Sequence, residues 1–203
     1  TINMQSNFLP KLINDPLGDP GVMVEFLCEQ RALQFDLGDL SLITNGELLK
    51  ISHVFISHTH IDHFIGFDHF LRVVFGRGKT IHLYGPENFI TNVAGKLAGF
   101  TWNLADRYSE SVTMEVTEVH ADRLIKAKFK AIDRFRKSDE TEEPFVDGVL
   151  VDESGFTVRA AILERDRVTK AAELEGEKGK KKHLCKSCGG PYSTKSHPMV
   201  GGP

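Results

Sequence analysis

The stretch Val54-Phe55-Ile56-Ser57-His58-Thr59-His60-Ile61-Asp62-His63-Phe64-Ile65-Gly66 runs a short apolar segment straight into four metal-binding side chains, three His and one Asp. A continuous run of β-formers such as Val54–Ser57 reads as a strand buried on both faces. It ends at His58, so the polar residues fall on a tight loop at a sheet edge. If that loop starts extended, His58 and His60 project to the same side, because side chains in extended chain repeat every second residue. Together they can bind one divalent ion. Asp62 and His63 come where the loop turns into a helix, and can face a second ion nearby. Imidazole and carboxylate are the usual ligands of zinc and similar metals. Two such ions about 3.5–4 Å apart can bridge a hydroxide and clamp a phosphodiester. Five of the nine histidines fall between His53 and His69, and a lone surface histidine would not explain that concentration.

Outward from this stretch the chain alternates strands and helices. Asn14–Gly21 is a loop dense in turn formers. Val22–Cys28 and Ala32–Leu37 read as strands joined by the polar turn Glu29-Gln30-Arg31, a hairpin. Phe67, Phe70, Leu71 and Val74 have helical spacing, and Gly76-Arg77-Gly78 stops that helix. Thr80–Tyr84 is a strand, and Asn88–Phe100 a helix. Further strands are expected at Val112–Val119, Ile125–Ile132 and Gly155–Ile162, with Lys137–Pro144 a charged loop. Strands alternating with helices, then mostly strands, indicate a mixed α/β sandwich. Cys28, in a strand, is expected to be a buried small apolar residue.

Ser57–Gly66 resembles the signature of the metallo-β-lactamase superfamily. The wider context resembles its ribonuclease Z branch, the tRNA 3′-processing endonucleases. That context comprises Phe35-Asp36-Leu37-Gly38-Asp39 before the motif, the apolar helix Phe67–Phe75 after it, and Leu83-Tyr84-Gly85-Pro86 beyond the next strand. The resemblance covers about Val22 to Leu163. It implies an αβ/βα four-layer sandwich with the metal site at one edge of the two sheets. It also implies two zinc ions, the first held by His58 and His60 and the second by Asp62 and His63. A metal-bound hydroxide would cut precursor tRNA and leave a 3′-hydroxyl, with Asp62 also placed to orient or deprotonate the water. A homodimer is implied too. Lactonases and thioesterases share the His-x-His-x-Asp-His core, so hydrolysis of small esters is the alternative.

The resemblance requires three further ligands downstream: a His, a bridging Asp and a final His. An Asp-His pair is expected just after Val158–Leu163, where the chain reads Glu164-Arg165-Asp166-Arg167. Composition changes at the same place. Residues 1–163 carry a net charge of −7, residues 164–203 a net +4, and all 14 Phe lie at or before Phe156. The expected organisation is therefore a metallo-β-lactamase-like domain over 1–163, incomplete in its second half, and a basic low-complexity disordered tail over 164–203. Four ligands supply about half of a two-zinc site, so an incomplete site, and an inactive fragment as a further alternative, follow. In the tail, Cys185-x-x-Cys188 with His183 and His197 resembles one knuckle of a zinc ribbon, with accidental sequence the simpler reading. His53 and His69 are expected to be structural or to support the ligands, His82 to be a core or edge-strand residue, and His120 to be a surface turn residue, with substitution for a missing ligand as its alternative.

Lys126, Lys128 and Lys130 alternate on one strand face and could meet tRNA phosphates. The alternative is a solvated edge strand kept from aggregating by its lysines. With 203 residues, 40% hydrophobic and 26% charged, the composition is that of a globular protein. No apolar run reaches membrane-spanning length and no secretory signal is visible. Three cysteines make no disulfide framework, so a cytoplasmic setting without membrane contact is expected.

Overall fold

The structure, a computed structural model, describes residues 8–163. The basic tail and its Cys185/Cys188 pair lie outside the described residues. Within them, β1 (Phe8–Leu12), β2 (Val22–Phe26), β3 (Ala32–Phe35), β4 (Ile51–Phe55), β5 (Thr80–Gly85), β6 (Thr113–Val119), β7 (Arg123–Lys130) and β8 (Lys137–Pro144) lie side by side in that order. The central strands β3, β4, β5 and β6 are parallel to one another. The outer pairs on both sides are antiparallel. The expected hairpin is the β2–β3 pair.

Parallel neighbours need crossovers, and helices supply them. The segment α1 (Asn45–Leu48) links β3 to β4, α2 (Ile61–Phe64) and α3 (Phe67–Val74) link β4 to β5, and α4 (Phe89–Ala98) links β5 to β6. The helical periodicity read from the sequence is the buried face of α3: Phe67, Phe70, Leu71 and Val74 are almost fully buried. They pack with α4 residues Val93 and Leu97 against Val54, Ile81, Leu83 and Met114 of the sheet. The strands alternate. Phe26, Leu33 and Phe55 point to the other face, where they meet Val151. That residue belongs to a separate antiparallel hairpin of β9 (Val149–Glu153) and β10 (Phe156–Arg159). Arg31 fastens the hairpin to the sheet. Its guanidinium grips Glu153 through two hydrogen bonds of 2.6 and 2.7 Å and lies over the rings of Phe26 and Phe156. The expected α/β class holds: the described residues form helices, the large sheet and this hairpin. No described helix is long and apolar enough to cross a membrane.

Two expectations are corrected. Lys137–Pro144 is strand β8, not a loop. It has no apolar residue to signal a strand; it is held by the ladder to β7 and by cross-strand ion pairs such as Lys126–Glu143 at 2.5 Å. Cys28 is exposed, because β2 ends at Phe26 and the cysteine falls in the turn that follows.

One glycine is fixed by close approach. A Cβ on Gly66 would lie 2.2 Å from the carbonyl oxygen of Gly38 and 2.7 Å from Leu40. The contact is this tight because Gly66 N–H donates to Leu37 O while Leu37 N–H donates to His63 O. The loop after β3 is thus zipped to the α2–α3 corner. Gly66→Ala should destabilise the chain by about 3 kcal/mol, since backbone cannot step aside. Gly95, in mid-α4 with open space around its Cα, is the control. There Ala should stabilise by about 0.5–1 kcal/mol. Urea unfolding midpoints of the two variants check both signs.

Candidate active site

The parallel strands β3 to β6 end on one sheet edge, and each feeds a loop there. That edge is where open α/β sheets hold their ligands. β4 leaves the sheet after Ile56, whose N–H still donates to Tyr84 O. On the neighbouring strand the next residue is Asp36, in left-handed backbone at φ 57°, a conformation that Asp tolerates better than most residues. This turns its carboxylate toward Ser57. Asp36 Oδ1 accepts the Ser57 N–H at 2.7 Å, and its carboxylate oxygens lie 3.0 and 2.9 Å from Ser57 Oγ. Asp36 Oδ2 is 2.9 Å from His63 Nδ1.

These contacts set the tautomers. A carboxylate only accepts, so His63 carries its hydrogen on Nδ1 and its lone pair on Nε2. Ser57 spends its hydroxyl hydrogen on Asp36. Its oxygen therefore accepts from His58 Nδ1 at 3.0 Å, and in His58 too Nε2 becomes the lone-pair nitrogen. The His58 and His63 rings lie 3.8 Å apart between centroids, tilted by 48°, and His60 meets His58 edge-on at 4.5 Å. Asp62, half exposed in the first turn of α2, places Oδ2 3.5 Å from His63 Nε2. Asn92 of α4 donates to Thr59 Oγ1 at 2.9 Å and ties down the middle of the loop.

The structure thus brings His58, His60, Asp62 and His63 together at the end of β4. Imidazole nitrogen and carboxylate oxygen are the donors a divalent ion takes, so by chemistry the set fits one. Among the described residues, however, no three His, Cys, Asp or Glu side chains are arranged to hold an ion in common. His58 and His63 pack ring against ring instead. Sequence reasoning missed the supporting residues Asp36, Ser57 and Asn92. For Asp36 the signal was available: an acid directly after a β-run that neighbours the motif strand.

The other histidines are placed elsewhere. His120 follows β6 on the same edge, but it is not a surface residue. It is largely buried, with Nε2 2.8 Å from Glu118 Oε1. Glu118 in turn accepts the Ile90 N–H of α4 through its other oxygen. His53 and His82 stack at 4.5 Å on the face away from the helices. Burial, with His82 and Arg31 beside it, pushes the His53 imidazole down to about 4. Burial also lowers His82, against the pull of Glu115 3.2 Å away. Both are neutral structural groups at pH 7. Lys126, Lys128 and Lys130 do line one face of β7, but each meets a carboxylate: Glu143 at 2.5 Å, Glu115 at 2.9 Å and Asp139 at 4.0 Å. The hydrogen bond from Lys128 holds Glu115 below its ordinary range.

The chain matches the Ribonuclease Z of Deinococcus radiodurans at 32% identity over 139 residues, 66% of this chain and 41% of that protein. The chain is ribonuclease Z-like over this stretch. The Ribonuclease Z of Myxococcus xanthus is 41% identical over 61 residues, 28% of this chain and 20% of that one. That of Pyrococcus furiosus is 36% identical over 67 residues, 29% and 22% of the two chains. The ribonuclease Z-like chain therefore spans less than half the length of these relatives. No protein-family profile matches it. Among solved structures, human tRNase Z, short form, is 18% identical with a TM-score of 0.34 over 60% of this chain and 58% of that one.

Proposed function

We propose that this ribonuclease Z-like chain is a metal-dependent endonuclease that cuts precursor tRNA at its 3′ end. The observation that carries the reading is the loop after β4. There His58 and His63 have their Nδ1 atoms committed to Ser57 and Asp36, which leaves Nε2 of each as the ligand nitrogen, and Asp62 stands beside them. Buttressing of this kind, carboxylate to imidazole to metal, is how proteins orient metal-binding histidines. His58 and His60 would hold one zinc ion, and Asp62 and His63 a second. When bound, such ions activate water and neutralise charge developing on the phosphoryl oxygens. Asp62 orients the attacking water and accepts its proton on a carboxylate oxygen. Water oxygen bonds to phosphorus as the bond from phosphorus to the 3′ oxygen breaks. The tRNA leaves with a 3′-hydroxyl, and the trailer keeps the phosphate.

The test uses the purified full chain with zinc or manganese and a 5′-labelled tRNA carrying a 3′ extension. The expected result is one shortened, 3′-hydroxyl product that disappears when the metal is chelated. Intact RNA under every metal, with turnover of a lactone or thioester instead, would transfer the site to small-ester hydrolysis.

A further inference from the structure

A second cationic feature lies at the opposite edge of the sheet. A cleft of about 320 Å³ opens between α1 and α3, lined by His69, Arg72 and Arg77 together with Leu49 and Phe75. None of its lining residues is acidic, in a protein whose net charge is −3. Arg72 and Arg77 are exposed and, like Arg107 and Arg136, have no carboxylate partner among the described residues, whereas Arg31, Arg123 and Arg134 each have one. The lysines of β7 are likewise neutralised. Two unpaired guanidiniums thus share this cleft, whereas the β7 lysines are each ion-paired.

The cleft is also built rigidly. Arg72 projects from the last turn of α3, where a cation also suits the helix dipole. Arg77 precedes Gly78, where an added Cβ would lie 3.2 Å from Glu110 Oε2. It stands on a turn between two glycines in left-handed backbone, Gly76 at φ 73° and Gly78 at φ 58°. Tyr108 packs against that turn: a Cβ on Gly76 would be 2.9 Å from its ring. The adjoining Phe75 ring is fixed by Tyr108 at 4.8 Å and Trp102 at 5.4 Å. Two planar guanidiniums lining one cleft suit the bidentate recognition of phosphate oxygens.

We infer that this cleft binds backbone phosphates of the RNA substrate, away from the bond that is cut. The identity of the RNA rests on the proposed function. α3 runs back from the candidate active site, and its eight residues span about 12 Å. A phosphate here cannot be the reacting one. The cleft is an anchoring surface, so it acts on affinity and not on the chemical step.

The experiment measures binding of a fluorescein-labelled 3′-extended tRNA to the full chain by anisotropy. A chelator is present so that nothing is cut, and salt is varied from about 50 to 200 mM. Arg72→Gln/Arg77→Gln should bind at least about tenfold more weakly, with a salt slope smaller by about 1.5, the loss of two phosphate contacts. Arg72→Lys/Arg77→Lys keeps the charges and should keep the slope while losing part of the affinity. Lys126→Gln/Lys128→Gln, on the ion-paired strand, should change binding less than about twofold. Unchanged affinity and slope in the Gln variant overturns the inference. So does full displacement of the RNA by millimolar inorganic phosphate, which would assign the cleft to the free ion. A chain that binds RNA through these arginines yet cleaves nothing upholds the cleft and overturns the proposed function.

Discussion

Asp62→Asn cuts the single-turnover rate of 3′-extended tRNA cleavage by roughly 10²–10⁴-fold while leaving tRNA affinity where it was. The amide keeps the shape of the side chain and removes its charge and basicity, which are the two properties the proposed chemistry uses. Among the described residues, the side-chain contact of Asp62 is the one to His63. Asp62 is half exposed on the first turn of α2, and its Oδ2 faces the unprotonated His63 Nε2 at 3.5 Å. The variant should therefore melt with the parent, within about 0.5 kcal/mol. The separation of rate from affinity distinguishes Asp62 from the cleft arginines, for which the reverse split is expected. Gel shift, single-turnover cleavage and thermal melts on the same two proteins decide the matter. A variant that cuts within about threefold of the parent would remove Asp62 from the chemistry.

Burial decided how much of the fold could be read from the residues. Val54–Ile56 and the Phe67, Phe70, Leu71, Val74 stripe were legible because the core leaves its pattern on them; the helix stands where the pattern placed it, while the strand begins at Ile51 and ends at Phe55, before the Ser57 the reading extended to. The elements missed lie at the margins of the sheet, where little is buried and periodicity carries no signal. β8 is exposed almost throughout, and its residues are those of a solvated loop; only the lysines opposite, in β7, explain why the acids form a strand. β1 is similar, with four of its five residues exposed. α1 is a different case, for its signal was present. Thr44 and Glu47 form a reciprocal capping box, the Glu47 carboxylate accepting the Thr44 N–H at 2.9 Å and Glu47 N–H donating to Thr44 Oγ1 at 3.3 Å. Together with Lys11, Thr44 holds the Glu47 carboxyl at about 2. Four residues are too few for the apolar spacing that would have drawn notice.

The candidate site divides in the same way. Its four donor side chains are contiguous in sequence, so their meeting follows from one loop and needs no knowledge of the fold. What orients them is not contiguous. Asp36 and Ser57 stand 21 residues apart and meet only because β3 and β4 are parallel neighbours, with Phe35 beside Phe55. No local pattern announces strand order, and so the supporting carboxylate was invisible as a functional group even though its residue was in view. The β7 lysines show the converse. Their spacing was read correctly, but the charges facing them come from β6 and β8, and those partners convert a basic stripe into a neutral one.

Asp36→Asn tests whether that parallel pairing serves the site. Asn can keep Oδ1 on the Ser57 N–H. Its other terminal atom then becomes an NH₂ aimed at His63 Nδ1, where the parent has Oδ2 at 2.9 Å. Two N–H groups cannot face each other, so His63 must shift its hydrogen to Nε2 and present Nδ1 as the acceptor. The nitrogen proposed as a ligand is then protonated. Metal affinity should fall by about 10–100-fold, measured by competition with a chromophoric chelator, and cleavage at subsaturating metal should fall with it. Excess metal should restore part of the rate, which distinguishes this variant from Asp62→Asn. The nitrogen-15 chemical shifts of the His63 ring supply the readout that mere destabilisation would not produce: in the parent the protonated nitrogen is Nδ1, and in the variant it should be Nε2. If the ring keeps its hydrogen on Nδ1 and the metal binds as before, Asp36 only closes the loop over β3. The oriented imidazole would then lose its role in the proposed mechanism.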